Sequence, residues 1–241
     1  MYVGTIPVRL AEMLTPQPST LWALARQAGV TDAVSGTRQN PFIDRDEKPW
    51  ELLPLLRLRN RFTEEGLRLS VMEGGGPDLN RAKLGLPGRD EEIEGFCAML
   101  RNLGSLGVEV VCWNWMAEFG WLRSATGIHT RGGALVTGYD DKDLQDVPLT
   151  EAGEVAEEHL WETLTYFLKA VVPVAERAGV KLALHPDDPP LARIRGVARI
   201  IRSPQAMRRA IELVPSAYNG ITYCQGNFAA MNADIPATIR E

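Results

Sequence analysis

The sequence predicts an α/β fold built on a parallel sheet, and three observations lead there. Short apolar runs of strand length alternate with longer stretches of helical periodicity. Some of those runs are apolar almost without a break, as in VEVVC at 108–112, which is the pattern of a strand covered on both faces. The chain has 241 residues, 45% hydrophobic and 24% charged, enough for a substantial core, and no linker or low-complexity segment divides it.

In chain order, the expected strands cover 8–13, 30–34, 67–72, 108–113, 180–185 and 220–224. Leu52, Leu55, Leu56 and Phe62 mark a helix between the second and third. Ile93, Phe96, Leu100 and Leu103 share one face of another, and Leu160, Leu164, Phe167, Val171 and Ala175 do so in a longer one. Ser203 before Pro204 reads as an N-cap followed by proline at the first helical position. The glycines at 74–76 and Pro77 form a loop after the third strand. Residues 114–148 carry glycine, aromatics and charge with little periodicity, and a loop of that length suits an active-site cover. Repeated βα units give a parallel sheet, doubly wound or closed as a barrel. Six units are countable, and the chain stops at 237–241, inside what should be the sixth helix. A closed (β/α)8 barrel needs two more strands and typically about 250 residues, so as a barrel this chain is C-terminally incomplete or closes in an unusual way.

A net charge of −5 argues against non-specific binding to nucleic acid or to an anionic membrane. No apolar run approaches the ~20 residues of a membrane span, and the N-terminus does not read as a signal peptide. Cys97, Cys112 and Cys224 are widely spaced and odd in number, as expected of reduced thiols in a cytoplasmic protein with at most one in chemistry.

Functional groups in parallel α/β folds collect at the C-terminal ends of the strands. KLALHPDDPP, residues 181–190, ends an apolar strand on His185, and the next strand ends on Cys224. Imidazole and thiolate suit a divalent transition metal. The alternative is a hydrogen-bonded histidine and an inert buried cysteine. Asp187 and Asp188 could hold the imidazole tautomer, move a proton or bind substrate hydroxyls, or they could simply make a turn. The prolines around them pre-stiffen the segment. After the fourth strand, Asn114, Trp121 and Arg123 form a plausible surface for a polyhydroxylated acid, with Arg123 holding a carboxylate bidentately. Alternatively the tryptophans cover the sheet end and Arg123 is a solvated charge. His129 is a candidate lid group, although exposed loop histidines usually do nothing, and His159, within a helix, reads as structural.

Four strings, KLGLPGRDEEIEGFCAMLRNLGSLGVEVVCWNWM (83–116), RGGALVTGYD (131–140), ALHPDDPP (183–190) and NGITYCQGN (219–227), resemble the mannonate dehydratase family, in order and over most of the chain. The resemblance implies a TIM (β/α)8-type barrel related to xylose isomerase-like enzymes, here a single catalytic domain over 1–241 that is C-terminally incomplete. It implies metal-dependent dehydration of D-mannonate to 2-dehydro-3-deoxy-D-gluconate with Mn²⁺ or Fe²⁺. The family's metal ligands match His185 and Cys224. Its other two ligands, a histidine and an aspartate, belong to seventh and eighth strands that this chain lacks.

The chain departs from the family pattern in places. Tyr-Asn-Phe-Met after the fourth strand becomes Trp113, Asn114, Trp115 and Met116. Asp-Trp-Thr-Arg becomes Gly120, Trp121, Leu122 and Arg123. A His-Glu pair after the third strand is absent, where this chain has Glu73 and glycines. These departures keep open a dehydratase, isomerase or epimerase acting on another sugar acid, and a third reading is an inactive binding protein. An incomplete barrel also exposes strand edges, which favours association into a homo-oligomer.

Overall fold

The computed structural model describes residues 8–38, 40, 43–44, 46–144 and 146–241. Its elements run β1 (Ala11–Met13), α1 (Thr20–Gln27), β2 (Asp32–Ser35), α2 (Leu52–Glu64), β3 (Arg68–Glu73), α3 (Asn80–Leu84), α4 (Arg89–Ser105), β4 (Val110–Trp113), β5 (Ala125–His129), β6 (Leu135–Gly138), α5 (Glu157–Ala178), β7 (Lys181–Leu184), β8 (Arg193–Ile194), β9 (Val197–Ala198), α6 (Pro204–Glu212), β10 (Asn219–Ile221), α7 (Gln225–Ala230) and α8 (Ile235–Arg240). The chain divides into two compact units. One comprises 1–77, 94–113 and 173–182, and the other 78–93, 114–172 and 183–241.

In the first unit β1 to β4 pair in parallel and in chain order, with Ala11 opposite Asp32, Ala33 opposite Leu69, and Val71 opposite Val110. Lys181 N donates to Glu109 O at 2.9 Å, which sets the start of β7 beside β4. Helices α1 and α2 meet through Trp22 and Phe62, stacked at 4.1 Å and both buried. The buried face of α2 is Leu55, Leu58 and Phe62, while Leu52 is exposed, so the face is rotated from the expected one. A Cβ on Gly104 would lie 2.2 Å from the carbonyl oxygen of Ala178, so only glycine lets the end of α4 approach the end of α5 this closely. At the start of β2, buried Asp32 accepts from Thr31 Oγ1 (2.7 Å), from Ser70 Oγ and from Arg68 Nε (2.9 Å), and Arg68 Nη2 lies at 2.7 Å.

The second unit holds the amphipathic first part of α5. Leu160, Leu164, Phe167 and Val171 are fully buried there, the 3.6-residue stripe of a core-facing helix. Trp115 packs on Phe167 at 4.8 Å and donates Nε1 to Leu160 O at 3.2 Å. Thr222 donates its N–H to Leu184 O (2.8 Å) and its hydroxyl to Ala183 O (3.0 Å), which joins the segment after β10 to β7. The resulting strand order is β1-β2-β3-β4-β7-β10. Helix α6 starts as expected: Ser203 Oγ accepts from Ala206 N, with Pro204 at the first position.

Several expectations need correction. β7 stops at Leu184, so His185 lies just beyond it, and β10 stops at Ile221, so Cys224 caps α7 instead of ending a strand. Pro186 has no N–H for a ladder, and Cys224 N turns back onto Thr222 O at 2.9 Å. Residues 114–148 contain an antiparallel hairpin, β5–β6. Neither strand buries a face, so the hairpin leaves no alternation to detect. A second small hairpin, β8–β9, follows the proline segment and was likewise unsignalled. The sixth helical segment is two short helices, α7 and α8. Among the described residues no helix is long and apolar enough to cross a membrane.

Candidate active site

All the expected site residues fall in the second unit. His185 Nδ1 lies 2.7 Å from Pro186 O. A carbonyl oxygen can only accept, so Nδ1 is the donor, and in a neutral imidazole that leaves the Nε2 lone pair for a metal. Cys224 Sγ donates to Asn227 Oδ1 at 2.9 Å, and Asn227 Nδ2 donates to Asp187 O at 2.9 Å. Buried Asn227 therefore ties the cysteine to the segment that follows the histidine. Sequence reasoning missed it, although its place three residues after Cys224 on a helical turn was a usable signal.

Asp187 is fully buried. Its N–H donates to Ile201 O (2.8 Å) and its Oδ2 accepts from Ile201 N (2.7 Å), so it anchors the segment to the chain after β9. Arg199, equally buried, stands 3.9 Å from it. Among the described residues Asp187 Oδ1 and Arg199 Nε and Nη1 have no hydrogen-bond partner, and the 3.9 Å ion pair runs between Oδ1 and Nη1. Burial pushes the Asp187 carboxyl above its ordinary range, against the opposing pull of Arg199 and the Ile201 N–H. Burial likewise pulls the Arg199 guanidinium below its usual value.

Arg123 does hold a carboxylate in its fork, and that carboxylate belongs to Asp188. Nη1 and Nη2 reach Oδ1 and Oδ2 at 2.6 and 2.8 Å. Nη1 also donates to Leu122 O (2.7 Å), Nε donates to Thr137 Oγ1 (3.1 Å), and the guanidinium stacks over Trp121 at 4.2 Å. This cluster fastens hairpin β5–β6 to the loop after His185. Trp121 itself is exposed. His129 is exposed on β5, and His159 Nε2 contacts Leu84 O at 2.8 Å, in line with a structural role.

Asn114 Oδ1 accepts from Met116 N (3.1 Å) and from Lys83 Nζ (3.4 Å), and Nζ also donates to Met116 O (3.0 Å). Met116 Sδ in turn accepts from Asp188 N at 3.4 Å. Lys83 was not a sequence candidate, because a lysine on a short polar helix reads as surface. Burial pushes its ammonium down to about 8, assisted by Arg199 and opposed by Asp78, Asp187 and Glu92.

Among the described residues no three His, Cys, Asp or Glu side chains gather as a metal set. His185 and Cys224 fit a transition metal by donor type, and a full site would need about two further protein ligands beside them. A cavity of about 900 Å³ elsewhere in this unit, lined by Asp78, Arg81, Glu92, Glu118, Glu151 and His159 among others, includes none of the expected site residues.

The family model for D-mannonate dehydratase (UxuA) matches residues 15–152 and 148–241. The mannonate dehydratase of Streptococcus pneumoniae is 36% identical over 205 residues, covering 75% of this chain and 56% of that protein. Mannonate dehydratase 2 of Halalkalibacterium halodurans is 36% identical over 216 residues, covering 79% of this chain and 62% of that one. The crystal structure of mannonate dehydratase from Streptococcus suis serotype 2 superposes with a TM-score of 0.83 at 34% identity, over 95% of this chain and 66% of that one. A 3-keto-D-glucoside 4-epimerase from E. coli shares the fold alone, with a TM-score of 0.57 at 14% identity over 97% of this chain and 74% of that one. This chain thus spans between half and two thirds of the length of these mannonate dehydratases. The fold is of the TIM-barrel type, represented among the described residues by six strand–helix units. By family model, sequence identity and superposition, this chain belongs to the D-mannonate dehydratase family.

Proposed function

We propose that this chain acts as a cytoplasmic D-mannonate dehydratase and contributes a metal-binding pair and one wall of the sugar-acid site. The reaction removes the proton on C2, next to the carboxylate, and the C3 hydroxyl. With a proton from an acid the hydroxyl departs as water, and the resulting enol tautomerises to the 2-keto acid. A divalent metal would stabilise negative charge developing on substrate oxygens. His185 through Nε2 and Cys224 through Sγ would hold it, and Mn²⁺ or Fe²⁺ suits that pair better than Mg²⁺. Asn114 and Trp121 supply an amide and an aromatic face to the substrate. Arg123, which the sequence assigns to the substrate, is better read as a positioning residue, because Asp188 fills its fork. Asp187 and Asp188 act behind the ligands, orienting the segment after His185.

The observation that supports this reading best is the 2.7 Å contact of His185 Nδ1 with Pro186 O, which leaves Nε2 as the nitrogen for a metal, in a chain of this family. Equilibrium dialysis against Mn²⁺ and Fe²⁺, paired with detection of 2-keto acid from D-mannonate, tests it. His185→Ala and Cys224→Ala should each weaken metal binding at least ~10-fold. Chelation should abolish turnover, and Mn²⁺ or Fe²⁺ should restore it. Unchanged metal affinity in both variants would remove the assignment. Other sugar acids belong in the same assay, since the chain departs from the family pattern at Trp113, Trp115 and Gly120.

A further inference from the structure

Lys83 is half-buried, and a lysine drawn into a protein is ordinarily paired with a carboxylate. Among the described residues Lys83 makes no ion pair, and its ammonium is spent on two neutral oxygens, Asn114 Oδ1 and Met116 O. The amide orientation of Asn114 follows from this. A backbone N–H and an ammonium converge on one side-chain atom, which must therefore be the oxygen, since an amide NH2 cannot accept. The NH2 edge is left as a donor. Charge on the acceptor side of an amide polarises it and strengthens its donor side. The backbone of Lys83 is held as well, because its carbonyl accepts from Thr163 Oγ1 of α5 at 2.8 Å. A methionine would fill this site without the desolvation cost that an ammonium carries.

We propose that Lys83 is a positioning residue for substrate recognition: by holding Asn114 Oδ1, it presents the Asn114 NH2 to an anionic oxygen of the sugar acid. This rests on the reading that Asn114 contacts substrate. The donor is suited to oxygen on which negative charge grows during C2 deprotonation. The charged groups around Lys83 are Asp78, Glu92, Asp187 and Arg199.

Two measurements test it. The side-chain amide signals of Asn114, assigned by their loss in Asn114→Ala, should shift with pH around a midpoint near 8 in the wild type and stay flat in Lys83→Met. In steady-state turnover of D-mannonate, Lys83→Met and Asn114→Ala should each lower kcat/KM about 10- to 100-fold. The double variant should be no worse than the poorer single, and Lys83→Arg should recover part of the loss. Lys83→Gln, a neutral donor, replaces Lys83→Met if the latter does not fold. Normal kinetics in the Lys83 variants beside an impaired Asn114→Ala would overturn the role of Lys83 alone. Normal kinetics in Asn114→Ala would overturn the substrate contact itself. An amide signal that titrates unchanged in Lys83→Met would break the coupling between the two residues.

Discussion

Asp32 and Asp187 are both almost wholly buried carboxylates, yet they are treated in opposite ways. Asp32 opens β2, at the N-terminal end of its strand. Burial pushes its carboxyl up, but the Ser70 and Thr31 hydroxyls and the Arg68 guanidinium together hold it below the ordinary value. Asp187 lies just past the C-terminal end of β7. There burial wins over Arg199 and the Ile201 N–H, and one carboxylate oxygen has no hydrogen-bond partner among the described residues. A saturated ion cluster serves stability. An under-satisfied one is kept despite its cost, which is how functional ends of parallel strands are commonly built.

The largest effect expected from this contrast is in unfolding free energy. Asp32→Ala strands the Ser70 and Arg68 donors and should cost about 3–4 kcal/mol in urea unfolding. Asp187→Asn keeps an acceptor for Ile201 N and removes a charge that burial penalises, which offsets the loss beside Arg199, and should cost only about 1–2 kcal/mol. A reversed order would break the comparison.

Next in size is the Arg123–Asp188 fastener, both of whose side chains are mostly buried, at 17% and 14% exposure. Arg123→Ala and Asp188→Ala should each cost about 1.5–3 kcal/mol, with the double variant close to the worse single. Additive losses would mean that the two side chains work separately, with Arg123 returned to the substrate.

The smallest effect is the pH dependence, bounded at about 1.4 kcal/mol per pH unit for one proton. Asp32 has a lowered folded value, so its contribution is complete above the ordinary 3.8 and is lost as pH falls through the folded value. Asp187 has a raised folded value, so its charge destabilises above that value and the penalty vanishes on acidification toward 3.8. On acidification the stability gap between wild type and Asp32→Asn should therefore close. The gap measured against Asp187→Asn should move in favour of the wild type. Gaps moving together would show that the two carboxylates are not opposed.

The sequence by itself determined the six strand–helix units and the buried faces of the long helices. Burial imposes a 3.6-residue period, which is why Phe96, Leu100 and Leu103 in α4, and Leu160 to Val171 in α5, were legible. Ser203 and Pro204 were legible because capping is local chemistry. His185 and the aspartates were visible as a motif, though the strand ends were placed too late by one residue in β7 and three in β10. Tertiary structure alone decided what those groups touch. Asp188 lies 65 residues from Arg123, and Asn114 lies 31 from Lys83, so no local pattern announces either pair. Hairpin β5–β6 stayed silent because it buries neither face. Period and capping are written within a few residues of chain, whereas the pairing of charges depends on which distant loops the sheet brings together.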